Sequence, residues 1–137
     1  MLHKNGKIDL LKHVPLFARC SKKELELISG LADEIDLPEG KELTQEGERG
    51  REFFVLVDGT AEVHRGGKQL RTLGPGEFFG EIALVSGRPR TATVTATSPV
   101  RALVVTDQAF GGLMRNSPDI QLKVLEAIAD RLPVDTP

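Results

Sequence analysis

With one cysteine, Cys20, the chain can form no internal disulfide, and a reducing compartment, the cytoplasm, is expected. A single thiol cannot supply a cysteine-rich metal site either. Neither sign of charge dominates: 18 Lys and Arg stand against 20 Asp and Glu, a net charge of -2, and the two signs are interspersed. Duplex DNA and anionic membranes select for clustered positive charge, so neither is an expected partner. No apolar run approaches the roughly 20 residues a membrane helix needs. The opening stretch MLHKNGKIDL is too polar for the core of a signal peptide. Aromatic residues are few, with no Trp and no Tyr, and none falls within residues 118–132. What is left fits one domain spanning residues 1–137, long enough to bury a real core.

Ile8, Leu10, Leu11, Val14, Leu16 and Phe17 form a short apolar segment broken by Pro15. Ser21 and Glu24 have the spacing of a capping box, and Leu25, Ile28, Leu31 and Ala32 follow at helical intervals. This predicts a helix of about three turns within an N-terminal helical part, residues 8–33. Over residues 34–106 turn signals such as Asp58-Gly59, Gly66-Gly67 and Gly74-Pro75-Gly76 recur at intervals of about 8 to 12 residues, the spacing of an all-β sandwich or barrel. Between them lie segments rich in β-branched or aromatic residues, EIDL, KELTQ, EFFVLV, AEVHR, KQLRTL, TATVTA and VRALVV. Two-residue turns are too short for a parallel crossover, so the strands are expected to be antiparallel.

Residues 107–132 return to helical periodicity. Asp107 is expected to cap a helix carrying Phe110, Leu113 and Met114. Ser117-Pro118 should start a second, with Ile120, Val124, Ala127, Ile128 and Leu132 on one face before Pro133 ends it. Gly111-Gly112 costs the first of these helices about 1 kcal/mol per glycine relative to alanine. The expected fold is mainly β with flanking helices. It is an antiparallel double-stranded β-helix, a jelly-roll-like β-roll, with an N-terminal helix, an inserted helical turn and two C-terminal helices.

The stretch 78–94, FFGEIALVSGRPRTATV, carries the chemistry. Gly74, Gly76 and Gly80 permit left-handed backbone or close approach of another group, and Glu81-Ile-Ala-Leu-Val reads as the start of a short helix. A helix start presents unpaired N–H groups and the positive end of a dipole, which suit an anion. Arg90, nine residues after Glu81, adds a permanent cation whose planar fork of donors fits phosphate. Glu81 is a poor phosphate ligand but a good acceptor for sugar hydroxyls. Together they point to a small ligand carrying phosphate and ribose.

Gly80-Glu81-Ile82-Ala83-Leu84 followed by Arg90-Thr91-Ala92 resembles the phosphate-binding cassette of the cyclic nucleotide-binding domain family. That family includes regulatory domains of cyclic-nucleotide-dependent kinases, gated channels and catabolite-activator-type transcription factors. The resemblance covers nearly the whole chain, with the cassette at residues 80–92. It implies that Arg90 pairs with the cyclic phosphate and that the backbone N–H groups of Ala83 and Leu84 complete the anion cradle. It also implies that Glu81 accepts from the ribose 2'-hydroxyl while Gly80 lets the backbone approach the sugar. Threonine at 91 is compatible with guanine, and compact soluble members of the family favour cAMP; the ligand is therefore cAMP or cGMP, with cAMP preferred. The closing helix should cover the base, through Val124, Leu125, Ile128 or Arg131, since no aromatic side chain is available there.

The alternatives differ in what they require. A metal-dependent enzyme on a β-roll needs clustered ligands, whereas His3, His13 and His64 are scattered, and no catalytic set stands in recognisable context. The sequence stops at Pro137 without a helix-turn-helix, so direct DNA binding by this chain is not expected. A scaffold with the same fold, pairing with a second copy through Ile120, Val124 and Ile128 of the closing helix, is the remaining rival. The expectation is a non-catalytic sensor with no metal or cofactor, whose output passes to an effector that the sequence does not identify.

Overall fold

A computed structural model of the protein describes residues 2–130. In chain order the elements are α1 (Lys4–Leu11), a 3-10 turn (Pro15–Phe17), α2 (Lys22–Ser29), β1 (Asp33–Leu37), β2 (Glu42–Thr44), β3 (Glu52–Asp58), β4 (Ala61–Arg65) and β5 (Lys68–Leu73). They continue with β6 (Phe78–Phe79), a second 3-10 turn (Glu81–Leu84), β7 (Thr93–Ala96), β8 (Val100–Thr106), α3 (Asp107–Asn116) and α4 (Pro118–Asp130). The strands form two four-stranded sheets in the orders β1-β8-β3-β6 and β2-β7-β4-β5, and every pairing is antiparallel. This is the β-roll with flanking helices expected from the turn spacing.

Strand β3 shows how the layers are built. Its run Phe53-Phe54-Val55-Leu56 is buried on both faces, which is why it reads as continuous hydrophobicity and not as alternation. Phe54 and Leu56 point into the roll, where they meet Leu73, Val94, Val100 and Ala102. Phe53 and Val55 point the other way, into a second core with Leu103 and Val105 of β8 and the helical residues Leu11, Phe17, Ile28, Phe110, Ile120 and Val124. Phe17 anchors that core edge-on to Phe53, with centroids 6.0 Å apart, and against Phe110 at 5.6 Å. The β4–β5 hairpin turns on Gly66 and Gly67, both at positive φ, as a two-residue hairpin loop requires.

Several local expectations change. The N-terminal helical part starts at Lys4, ahead of residue 8, because burial of Ile8 and Leu11 against α2 outweighs the poor propensity of Asn5 and Gly6. The capping box at Ser21 and Glu24 forms, but α2 has eight residues and ends at Ser29, with Gly30 as its C-cap. Thr106, not Asp107, caps α3: its hydroxyl accepts from the Ala109 N–H at 3.1 Å and Asp107 is the first helical residue. Gly74 does not adopt positive φ, whereas Gly76 and Gly80 do. The α4 face carrying Ile120 and Val124 is sealed in the helical core, so it is not available for pairing with a second copy; Leu122 and Leu125 are the exposed leucines of that helix. Leu132 and Pro133 lie outside the described residues.

Candidate ligand-binding site

Two loops meet at one end of the roll. The β2–β3 loop and residues 88–90 run antiparallel, with Gly47 N–H donating to Arg90 O (2.8 Å), Arg90 N–H to Glu48 O (2.6 Å) and Gly50 N–H to Arg88 O (3.2 Å). The next two residues are held from the second sheet: Arg65 Nε donates to Thr91 O at 3.0 Å and the Thr44 hydroxyl to Ala92 O at 3.1 Å. These contacts keep Thr91 and Ala92 in a loop, so β7 begins at Thr93 and not at the start of the TATVTA run.

Arg90 is thereby fixed at both its backbone and its tip. Its side chain is only 10% exposed; Nη2 donates to the Glu52 carbonyl at 2.7 Å and lies 3.8 Å from the Glu52 carboxylate. Burial lowers its pKa, and the negative charge of Glu52 works in the opposite direction. A guanidinium keeps its proton under such a shift, so the site holds a desolvated cation. Gly80 lies directly over it: at φ +82° it caps the 3-10 turn of Glu81–Leu84, and a Cβ there would stand 2.6 Å from Arg90 Nη1. Gly50 also approaches it, less closely, its notional Cβ 3.3 Å from Arg90 Nε and 3.1 Å from the Ala83 methyl. The arginine therefore lies in a slot bounded by glycine backbone, where a side chain at Gly80 would displace it and one at Gly50 would crowd it.

A cavity of about 410 Å³ opens on this slot, lined by Gly80, Glu81, Ile82, Ala83, Arg90 and Thr91 together with Gly50, Ser86, Arg88 and Pro89. Glu81 is itself buried, at 8% exposure, and lines the same cavity as Arg90. A second cavity of about 280 Å³ shares Gly80, Arg90 and Thr91 with the first and extends over Val63, Leu70 and Phe79 to Arg65 and Arg71. The two cavities meet at Gly80, Arg90 and Thr91, and both mix charged with apolar lining.

The structure brings together six of the eight residues singled out from sequence, Gly80, Glu81, Ile82, Ala83, Arg90 and Thr91, around the first cavity; Ala92 lines the second. Leu84, expected to contribute its backbone N–H, packs its side chain into the helical core. The cassette turn is 3-10, and the Ala83 N–H already donates to Gly80 O at 3.0 Å, so that donor is engaged within the turn. Of the residues considered as a cover for the base, Val124 is buried in the core, Leu125 is 61% exposed, and Arg131 lies outside the described residues. The apolar residues Val63, Leu70 and Phe79 went unnoticed in sequence because strand alternation alone does not tell a ligand-facing position from a core one. Arg88 had a signal in the Gly-Arg-Pro-Arg loop; Gly50 had none.

His64 lies with Glu62 on β4 at 3.0 Å. Among the described residues no group of three or more His, Cys, Asp or Glu could hold a metal ion, and no helix is long and apolar enough to cross a membrane.

Comparison with known proteins bears on the same residues. A family model described as "Cyclic nucleotide-binding domain" matches residues 34–117. A cAMP-dependent protein kinase regulatory subunit from Mycosarcoma maydis is 41% identical over 113 residues, covering 76% of this chain and 22% of that protein. A cGMP-dependent protein kinase from Plasmodium berghei (strain Anka) is 36% identical over 93 residues, covering 68% of this chain and 11% of that one. Among solved structures, the N-terminal domain of a transcriptional regulator from Streptomyces coelicolor A3(2) superposes with a TM-score of 0.82 at 30% identity, covering 90% of this chain and 91% of that chain. The chain therefore spans a quarter or less of the length of these two curated relatives.

Proposed function

The chain belongs to the cyclic nucleotide-binding domain family, and from that premise we propose that it is a non-catalytic cytoplasmic sensor of a cyclic nucleoside monophosphate. The observation that carries this reading is Arg90: a cation nine-tenths buried, held by a neutral carbonyl and with the Glu52 carboxylate at 3.8 Å, lining a cavity large enough for a ligand. A buried guanidinium is costly unless an anion completes it. In this reading Arg90 takes the cyclic phosphate, Glu81 accepts from the 2'-hydroxyl, and Gly80 allows the sugar to approach.

For the base, the preference for cAMP taken from the sequence meets a contrary observation. The second cavity carries Arg71 and Arg65 beside apolar Val63, Leu70 and Phe79, with Thr91 at its edge. Guanine offers O6 and N7 as two acceptors to an arginine fork, whereas adenine replaces O6 by an amine donor. This favours cGMP as the better match, with cAMP as its competitor.

Occupancy would reach the closing helices through the cassette turn, which packs against α3 and sends Leu84 into the same core as Phe110, Ile120 and Val124. A ligand shifts that arrangement only by the difference in its affinity for the two states. The effector is a protein partner or domain beyond this chain; if a second copy pairs through α4, Leu122 and Leu125 form the available face. Calorimetric titration of nucleotide-free protein with cAMP and cGMP in parallel tests the proposal. Saturable heat, larger in affinity for cGMP, supports it; no heat with either would replace it by the ligand-free scaffold.

A further inference from the structure

We infer that the Glu52 carboxylate is a built-in competitor that holds down the affinity of Arg90 for its anionic ligand. The inference rests on the sensor reading and goes beyond it, to the residue that sets how tightly the site holds. Two parts of Glu52 face the arginine, and they do different work. The main-chain carbonyl, 2.7 Å from Nη2, aims the guanidinium. The carboxylate, at 3.8 Å, is too distant for a hydrogen bond and contributes charge alone. Because the aiming comes from backbone, the side chain can change without moving the arginine.

The surroundings strengthen the argument. A separate polar cavity, which shares only Arg90 with the 410 Å³ cavity, is lined by Glu42, Glu48 and Glu52 and by one further cation, Arg49. Arg90 therefore lines both an acidic cavity and the place where an anion binds. A ligand phosphate must share the arginine with Glu52 and is itself repelled by these carboxylates. The Glu52 carboxylate is half exposed, at 46%, so solvent screens it and its influence is moderate. The consequence is a site with the right donor for phosphate and a deliberately weakened grip, suited to releasing its ligand when concentration falls.

Glu52→Gln removes the charge and keeps the shape and the carbonyl. It should tighten binding of cGMP and cAMP by about 1.5- to 5-fold, the range of a partly exposed charge pair. Glu52→Asp retracts the carboxylate by one methylene and should give a smaller gain. Both gains should shrink as ionic strength rises from about 0.01 to 1 M, since salt screens a charge effect but not a packing effect. The measurements are calorimetric titration with both nucleotides and titration with inorganic phosphate followed through the Arg90 Nε–H NMR signal. Salt-sensitive tightening in the Gln protein upholds the inference. Unchanged or weaker affinity in that protein, while the wild type binds nucleotide, overturns it and leaves the sensor reading standing. If the wild type binds neither nucleotide, the sensor reading falls and phosphate decides: tighter phosphate binding at Arg90 in the Gln protein upholds the inference, and no tightening overturns it.

Discussion

Gly80 and Arg90 occupy one slot: a methyl group on the glycine would stand 2.6 Å from the arginine's Nη1 and 2.9 Å from the Glu52 carbonyl that holds it. At φ +82° an L side chain is also strained. Gly80→Ala should therefore cost about 1 to 3 kcal/mol of stability and also push the guanidinium out of line. Urea unfolding measures the first effect and calorimetry the second. Wild-type nucleotide affinity in a folded Gly80→Ala protein would show that Arg90 does not bind from this slot.

Arg90→Ala should lose roughly 2 to 5 kcal/mol of binding, the range for truncating one side of a desolvated charge pair, or about 30-fold to several-thousand-fold in affinity. Arg90→Lys should recover little, because an ammonium lacks the planar fork that reaches both the Glu52 carbonyl and a phosphate. Titration of both variants, with circular dichroism to confirm folding, checks the difference.

The closing helix is tied to the N-terminal segment by two charged contacts, Lys123 to Glu24 at 2.5 Å and a two-pronged Arg19 to Asp130 at 2.7 and 3.0 Å. Burial pushes the Glu24 carboxyl up, but hydrogen bonds from Lys123 and Ser21 outweigh it and hold the group below its ordinary 4.5. Lys123 is raised above its ordinary 10.5, chiefly by its hydrogen bond to Glu24. A lowered acid contributes stability that is present above 4.5 and lost as pH falls through the folded value; a raised base contributes below 10.5 and loses it as pH climbs past. Thermal melts should therefore weaken at both extremes, and Glu24→Gln should flatten the acid limb. An acid limb unchanged in that variant would assign the loss to other carboxylates.

Cys20 is half-buried beside Glu24, and burial first, then that carboxylate, pushes its thiol up to about 11. The thiolate is the reactive form, so the native protein should react with a disulfide reagent at pH 8 far more slowly than the urea-unfolded chain. Equal rates in the two states would mean that the thiol is not shielded.

The turn signals made the β-roll legible because each glycine or proline cluster marks a chain reversal whatever surrounds it; AEVHR and KQLRTL coincide with β4 and β5 residue for residue. The two-residue strand Phe78–Phe79 was not legible, since only its pairing with Phe54 and Val55 makes it a strand. At the site, Glu81 and Arg90 could be read from chemical type and spacing. What surrounds Arg90 could not. Glu52 acts through its carbonyl, an atom every residue has, and Gly50 is one glycine among 14. Leu84 looked like its neighbours in the motif, and its turn into the core depends on the 3-10 geometry that Gly80 starts. Apolar periodicity locates the buried stripe of α4, Ile120, Val124 and Ala127, but does not say that the core already fills it and leaves no room for a second copy.

The hydrogen bond from Arg90 to Glu52 joins residues 38 apart in sequence, and the ladder between residues 47–50 and 88–90 closes the same long loop. Closing that loop costs chain entropy that its contacts must offset. A nucleotide that binds only the closed loop would lengthen the lifetime of the native protein with little effect on how fast it forms. Ligand occupancy would then be readable as resistance to proteolysis, independent of any downstream partner.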